Sequence, residues 1–247
     1  MSDGEDLARF REAVSGDLHE LAALHDRELD RETLERLRAE GGRFLRLGLV
    51  SERGRDALVL FEQGVMSLPP VVDSAAMDAL AVDFTEIYLT YGLRAAPCES
   101  VWLDEDSLVM QEPMFEVREL YRRHGLCVPD WRRRSDDHLV HELQFLAHLV
   151  GPGSGETLGE AAAFLDEHLL RWLPDFAARV VQRCATPLYA GIAALTAAYV
   201  DELRDLLAQI LEVPRPTQEE IDARRRPVVL AEELELSAFV PGSAPTW

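Results

Sequence analysis

The sequence predicts an all-helical protein, and three observations carry that expectation. Ala, Leu, Glu and Arg abound while aromatic residues make up only 7%. Apolar residues recur at three- and four-residue steps, and glycines or prolines close the periodic runs. The spacing resolves into a bundle of seven or eight helices joined by short loops, and 247 residues with 47% hydrophobic content suffice to bury a sizeable core.

Leu7, Phe10, Val14, Leu18, Leu21 and Leu24 form the first apolar stripe. A short helix over Arg31–Ala39 follows, stopped by Gly41-Gly42. Between Gly48 and Pro70, the run Ala57-Leu58-Val59-Leu60-Phe61 fits a strand as well as a buried helix. Ser74 is placed to cap a helix from about Ala75 to Tyr91, with Met77, Leu80, Phe84, Ile87 and Tyr88 on its apolar side and Gly92 at its end. After a loop holding Pro97 comes a helix from Glu112 to His124, closed by Gly125. A polar hinge loop near 127–135 leads to Ser135, which opens a helix with Leu139, Leu143, Leu146 and Leu149 on its buried side. Two further helices are expected, at about Glu156–Cys184 and Leu188–Leu211, and the first must bend or break at Pro174. From Pro214 the pattern fades into a Pro-rich tail. The expected organisation is one helical domain over 1–213 and a partly ordered appendage over 214–247, in which Val228-Val229-Leu230 and Phe239-Val240 could dock on the body.

Charge excludes some classes of partner. The chain carries 45 acidic and 25 basic residues, a formal net charge of −20, and every basic residue is Arg. Such a surface repels nucleic acid and anionic membrane and attracts cations. No apolar run approaches the roughly 18 residues of a membrane span, and the acidic start Asp3-Gly4-Glu5-Asp6 is unlike a secretory signal. A cytoplasmic location is expected. Cys98, Cys127 and Cys184 stand too far apart for a metal knuckle and are odd in number, so free thiols are expected.

Catalytic motifs are lacking. His138, His141 and Glu142 share one predicted helix and define the metal-binding alternative, a helical hydrolase. Yet no His follows a Glu by three residues, and His19-Glu20 and His141-Glu142 are not completed to H-E-x-x-H, because Ala23 and Phe145 occupy the second His position. Gly151-Pro-Gly-Ser-Gly155 lacks the Lys-Ser/Thr ending of a phosphate loop. The expected protein is not an enzyme, and no resident cofactor or metal is implied.

Five stretches remain: Asp83-Phe84-Thr85-x-x-Tyr88-Leu89-x-x-Gly92; Pro97-x-Glu99-Ser100-Val101-Trp102-Leu103; Glu116-Val117-Arg118-x-x-Tyr121-x-x-His124-Gly125; Asp136-Asp137-His138-Leu139-x-x-Glu142-Leu143-x-Phe145-Leu146; and Phe164-Leu165-x-Glu167-His168-Leu169-x-x-Trp172-x-Pro174-x-Phe176. In this order and spacing, over residues 15 to 205, the chain resembles the TorD/DmsD family of redox-enzyme maturation chaperones. The resemblance implies a TorD-like helical fold and a client, the catalytic subunit of a molybdopterin oxidoreductase. It also implies binding of that subunit's twin-arginine signal peptide until cofactor insertion. The family signature Glu-Pro-x-Asp-His falls on Arg134, Ser135, Asp136, Asp137 and His138, so Asp-His is kept and Glu-Pro is not. Arg134 would repel a cationic peptide where the family's Glu would meet one, although Asp136 and Asp137 could substitute. The residues expected to contact the client are Tyr88, Tyr91, Trp102, Asp136, Asp137, His138 and Glu142. A NarJ-like assembly factor for a membrane-associated molybdoenzyme is the nearest alternative. Either form could be a monomer or a dimer swapped through the hinge.

Overall fold

The structure is a computed structural model that describes residues 3–152 and 158–225. It is all-helical, with no strand among the described residues. The elements are α1 (Asp3–Asp26), α2 (Arg31–Ala39), α3 (Glu52–Met66), α4 (Ser74–Phe84), α5 (Glu99–Leu103), α6 (Glu112–Arg123), α7 (Leu139–Val150), α8 (Leu158–Phe164), α9 (Leu170–Arg183), α10 (Pro187–Leu211) and α11 (Gln218–Arg225). Two π-helical turns, Thr85–Leu89 and Leu165–Leu169, continue α4 and join α8 to α9. The chain divides into two units, Met1–Arg215 and Pro216–Trp247. In the second, α11 opens on a capping box in which the Thr217 N–H donates to Glu220 Oε2 at 2.7 Å and the Glu220 N–H donates to Thr217 Oγ1 at 3.3 Å. The apolar segments 228–230 and 239–240 lie outside the described residues.

Helix α10 is the axis of the first unit, packed against α3 and α9, while α1 pairs with α7. The α3–α10 crossing is close because both helices place glycine there. A β-carbon at Gly191 would stand 2.5 Å from Phe61 Cα, and one at Gly64 would stand 2.8 Å from Leu188 Cα. Polar stitches fix the helices in register. His25 on α1 is fully buried between the Tyr88 hydroxyl and Thr196 Oγ1, the latter at 2.8 Å. Thr196 donates to the Ile192 carbonyl, so it accepts from His25 Nε2–H, and Nδ1 accepts from Tyr88. Burial holds this imidazole neutral, with its pKa lowered to about 3.

Several boundaries differ from the sequence expectation for identifiable reasons. The segment that fits strand or helix is the helix α3, capped by Ser51, which accepts from the Gly54 N–H at 2.9 Å. Asp73, not Ser74, caps α4, accepting from the Ala76 N–H at 2.9 Å. That helix does not reach Tyr91, because the π turn consumes an extra residue and Tyr91 itself turns left-handed with φ 55°. The helix expected over Glu156–Cys184 is interrupted at Leu165–Leu169 and not at Pro174, which lies inside α9. Helix α7 begins at Leu139 and not at Ser135, and Ser135-Asp136-Asp137-His138 form the turn before it.

Candidate binding groove

The turn before α7 clasps the segment that leads into α5. An isolated antiparallel bridge joins Cys98 and His138. The Glu99 N–H donates to the Asp137 carbonyl at 3.0 Å, and the Leu139 N–H donates to the Pro97 carbonyl at 2.9 Å. Asp137 Oδ2 accepts from the Ser100 N–H at 2.8 Å and from the Ser100 hydroxyl at 2.5 Å. A carboxylate from the turn thereby serves the first turn of α5, whose own cap residue Cys98 makes no side-chain capping bond. Asp136 pairs with Arg118 on α6 at 2.9 Å, and its carbonyl accepts from the Tyr121 hydroxyl at 3.0 Å. His138 is the N-cap of α7, its Nδ1 accepting from the Val140 N–H at 3.2 Å. Burial, then the Arg134 charge, hold His138 far below the usual histidine pKa. It is therefore neutral, with its proton on Nε2.

Glu142 is wholly buried and accepts from Trp172 Nε1–H at 3.2 Å. It also hydrogen-bonds to Glu99, and Glu99 meets His168 Nδ1 at 2.9 Å. Burial first, then the charges of Glu99 and Asp137, push the Glu142 carboxyl far above its normal range. Two carboxyls in one hydrogen bond require a proton between them, and Glu142 keeps it. Above pH 4.5 the unfolded chain loses this proton and the folded chain retains it, so Glu142 costs stability that grows with pH until it ionises in the fold. Glu142→Gln keeps an acceptor for Trp172 and offers Glu99 a donor. We expect the variant to be more stable than the parent near pH 8 and little changed near pH 4, with the gap rising by up to about 1.4 kcal/mol per pH unit. Urea midpoints across this range check it, and a gap independent of pH would remove the proton from this pair.

The residues expected to contact a client thus separate into two sets. Asp136, Asp137 and Glu142 face inward onto Arg118, Ser100 and Trp172. Tyr88, Tyr91 and His138 line an open hollow of about 610 Å³ bounded by the π turn and the loop before α7. Tyr88 is itself buried, with its hydroxyl held by His25, whereas Tyr91 is 36% exposed and hydrogen-bonds to Cys98. Trp102 lines a neighbouring hollow of about 400 Å³, its Nε1–H donating to the Ala96 carbonyl at 2.8 Å and the Arg179 guanidinium lying 4.7 Å over its ring. A third hollow, about 290 Å³, lies between Tyr121, Leu126, Phe145 and His148. Tyr91 and Val109 are shared by the first two, and Val128, Pro129 and His141 by the first and third, so the three run together as one groove.

His138, His141 and Glu142 do not converge. His141 Nδ1 bonds the Ser135 carbonyl at 2.9 Å, His138 is committed to Val140, and Glu142 points to Trp172. No group of three or more His, Cys, Asp or Glu side chains among the described residues is arranged to hold a metal. Sequence reasoning missed the groove's arginines, Arg94, Arg132, Arg133 and Arg179. The run Trp131-Arg132-Arg133-Arg134, set in a chain of charge −20, was the available signal. It missed the partners of the buried acids as well, since Glu99, His168 and Trp172 lie far from them in sequence.

The family model described as nitrate reductase delta subunit matches residues 58–178, which run from within α3 to within α9 and include the loops that line the groove. The chaperone protein TorD of Vibrio cholerae serotype O1 (strain M66-2) is 30% identical over 202 residues, 78% of this chain and 90% of that protein. The Vibrio vulnificus (strain YJ016) chaperone protein TorD is 28% identical over 172 residues, covering 66% of this chain and 79% of its own. On this similarity along most of both sequences, the chain belongs to the TorD family of chaperones.

Proposed function

We propose that this chain is a maturation chaperone for a molybdopterin-dependent oxidoreductase, holding the catalytic subunit, its twin-arginine signal peptide, or both, until the cofactor is inserted. The observation that carries this reading is the similarity to TorD chaperones over 202 residues, joined to an open groove where His138 of the family's Asp-His pair meets the π turn. The chaperone works in the cytoplasm by binding and release. Its unfolded ligand loses conformational freedom on binding, which keeps affinity modest and exchange rapid.

A second reading is favoured by one arrangement in the fold. Asp136 and Asp137, the acids that could replace the family's missing Glu, are committed to Arg118 and Ser100. Arg134 is paired to Asp26. In this reading the ligand is the folding catalytic subunit itself, as for a NarJ-like assembly factor serving a membrane-associated molybdoenzyme.

Calorimetric titration separates the two. The full chain is titrated with apo catalytic subunits and with N-terminal peptides of molybdoenzymes from the same organism, each peptide beside its Arg-Arg to Lys-Lys variant. Micromolar peptide binding that is lost with the Lys pair makes it a signal-reading chaperone. Binding of apo subunit alone makes it an assembly factor, and silence with both overturns the function.

A further inference from the structure

We infer that the groove takes an extended, acidic and apolar segment of the client's own catalytic subunit, an inference that rests on the chaperone reading above. The charge of the groove opposes that of the chain. Arg94, Arg132, Arg133, Arg134 and Arg179 line it against one carboxylate, Asp130, although the whole chain carries −20. Arg134 is neutralised by Asp26. No described carboxylate lies within ion-pair range of the other four. Arg132 lies over the Trp131 ring at 5.2 Å, and Arg179 spans from Trp102 to the Arg94 carbonyl at 3.0 Å. Guanidinium groups held on aromatic faces, with no described carboxylate paired to them, are set to receive carboxylates in hydrogen bonds.

Apolar surface lies between these charges. Leu89 is 61% exposed, Val109 40% and Leu126 37%, and all three line the groove. Three linked hollows suit an extended chain, which sends alternate side chains to opposite sides. The arginines are distributed along this track. Arg94 and Arg179 belong to one hollow, and Arg132 and Arg133 to the next. Carboxylates spaced along a peptide reach both pairs, whereas one compact polyanion reaches only one pair. A twin-arginine segment would instead set two more guanidiniums against Arg132 and Arg133, and like charges at an interface are strongly disfavoured.

The backbone points to the same place. Five described non-glycine residues have left-handed φ, and four of them line this groove: Tyr91 at 55°, Arg94 at 53°, Ser107 at 53° and Met110 at 60°. Each such residue costs free energy that the rest of the fold must offset, and such residues concentrate at ligand clamps.

The test uses the full chain and its Arg132→Glu/Arg133→Glu variant, both positions being exposed. Overlapping short peptides tiled across the apo catalytic subunits of the same organism's molybdoenzymes are measured by fluorescence anisotropy, beside each intact apo subunit. The peptides retained should be net negative with at least two large apolar residues. Their affinity should fall about tenfold on charge reversal and also weaken as salt rises, with the thermal melt of the variant unchanged. Retention of basic peptides, or displacement of the acidic ones by micromolar pyrophosphate, overturns the inference. If the apo subunit binds the parent and the reversed chain equally, this inference falls and the chaperone reading stands. If it binds neither, both fall.

Discussion

Asp166→Ala should lower the melting temperature by about 10 °C, because it leaves a buried guanidinium without a counter-charge. Asp166 lies in the second π turn and grips Arg204 of α10 with both oxygens, Nε to Oδ1 at 2.9 Å and Nη2 to Oδ2 at 2.8 Å. The two side chains are 6% and 2% exposed. An intact pair of this kind returns little net stability, since removing two ions from water costs nearly what their attraction repays. Removing one partner is different, and costs about 3–5 kcal/mol. For a domain of this size each kcal/mol moves the midpoint by roughly 2–4 °C. The joint replacement Asp166→Leu with Arg204→Met should recover most of the loss, because it leaves no unpaired ion. If the single variant melts like the parent, or the double variant is worse than the single, the pair is not a dry ion pair. The position also matters for the groove. The same π turn carries His168, whose Nδ1 holds Glu99 at the start of α5, so loosening it should loosen the groove wall that α5 supplies.

Much of this fold was legible in the sequence, and the part that was not shares a physical cause. Periodicity marks a helix whose neighbours are its own residues, so α2, α6 and α10 are found nearly to the residue and the stripe from Leu7 to Leu24 falls inside α1. It does not register a π turn, since one inserted residue shifts the stripe without breaking it. Leu165 and Leu169 are both fully buried on either side of such an insertion. The caps show a related limit. Ser74 and Ser135 are good capping types, but Asp73 and His138 hold those positions, and only the direction of the chain entering each helix decides between adjacent candidates.

Family motifs single out residues without their orientation. Asp136, Asp137 and Glu142 do stand together before and within α7, but they serve the interior. A carboxylate in a motif satisfies either a ligand or an unpaired backbone N–H, and only the three-dimensional position of Ser100 or Trp172 distinguishes the two. The arginines of the groove were hidden for the converse reason. Arg94, Arg132 and Arg179 come from three separate segments, and no sequence pattern unites them.

Asp137→Ala should be the most damaging change within the groove wall, costing about 2–4 kcal/mol. It deprives the Ser100 N–H and hydroxyl of their shared acceptor at the start of α5. Each buried donor left unpaired costs about 1–3 kcal/mol. Part of this is returned, since Asp137 is a buried negative charge that also helps to push up Glu142. The estimate therefore falls below the full sum for two donors. Asp137→Asn keeps one acceptor oxygen without the charge and should cost less than half as much. Ser100→Ala removes the hydroxyl partner, and its cost combined with Asp137→Ala should fall well short of the sum of the two single changes, the mark of a direct interaction. The effect on the groove should exceed the effect on global stability. The Gln111 N–H rests on the Ser100 hydroxyl at 3.2 Å, so the far end of the 104–111 loop, beyond left-handed Ser107 and Met110, is tied to α5 through this contact. Hydrogen exchange in Asp137→Ala should accelerate across 99–111 before it does so in α10, and apo-subunit binding should weaken under conditions where the bundle is still folded. Uniform acceleration throughout the chain would mean that Asp137 serves general stability, and that the groove wall is held by other means.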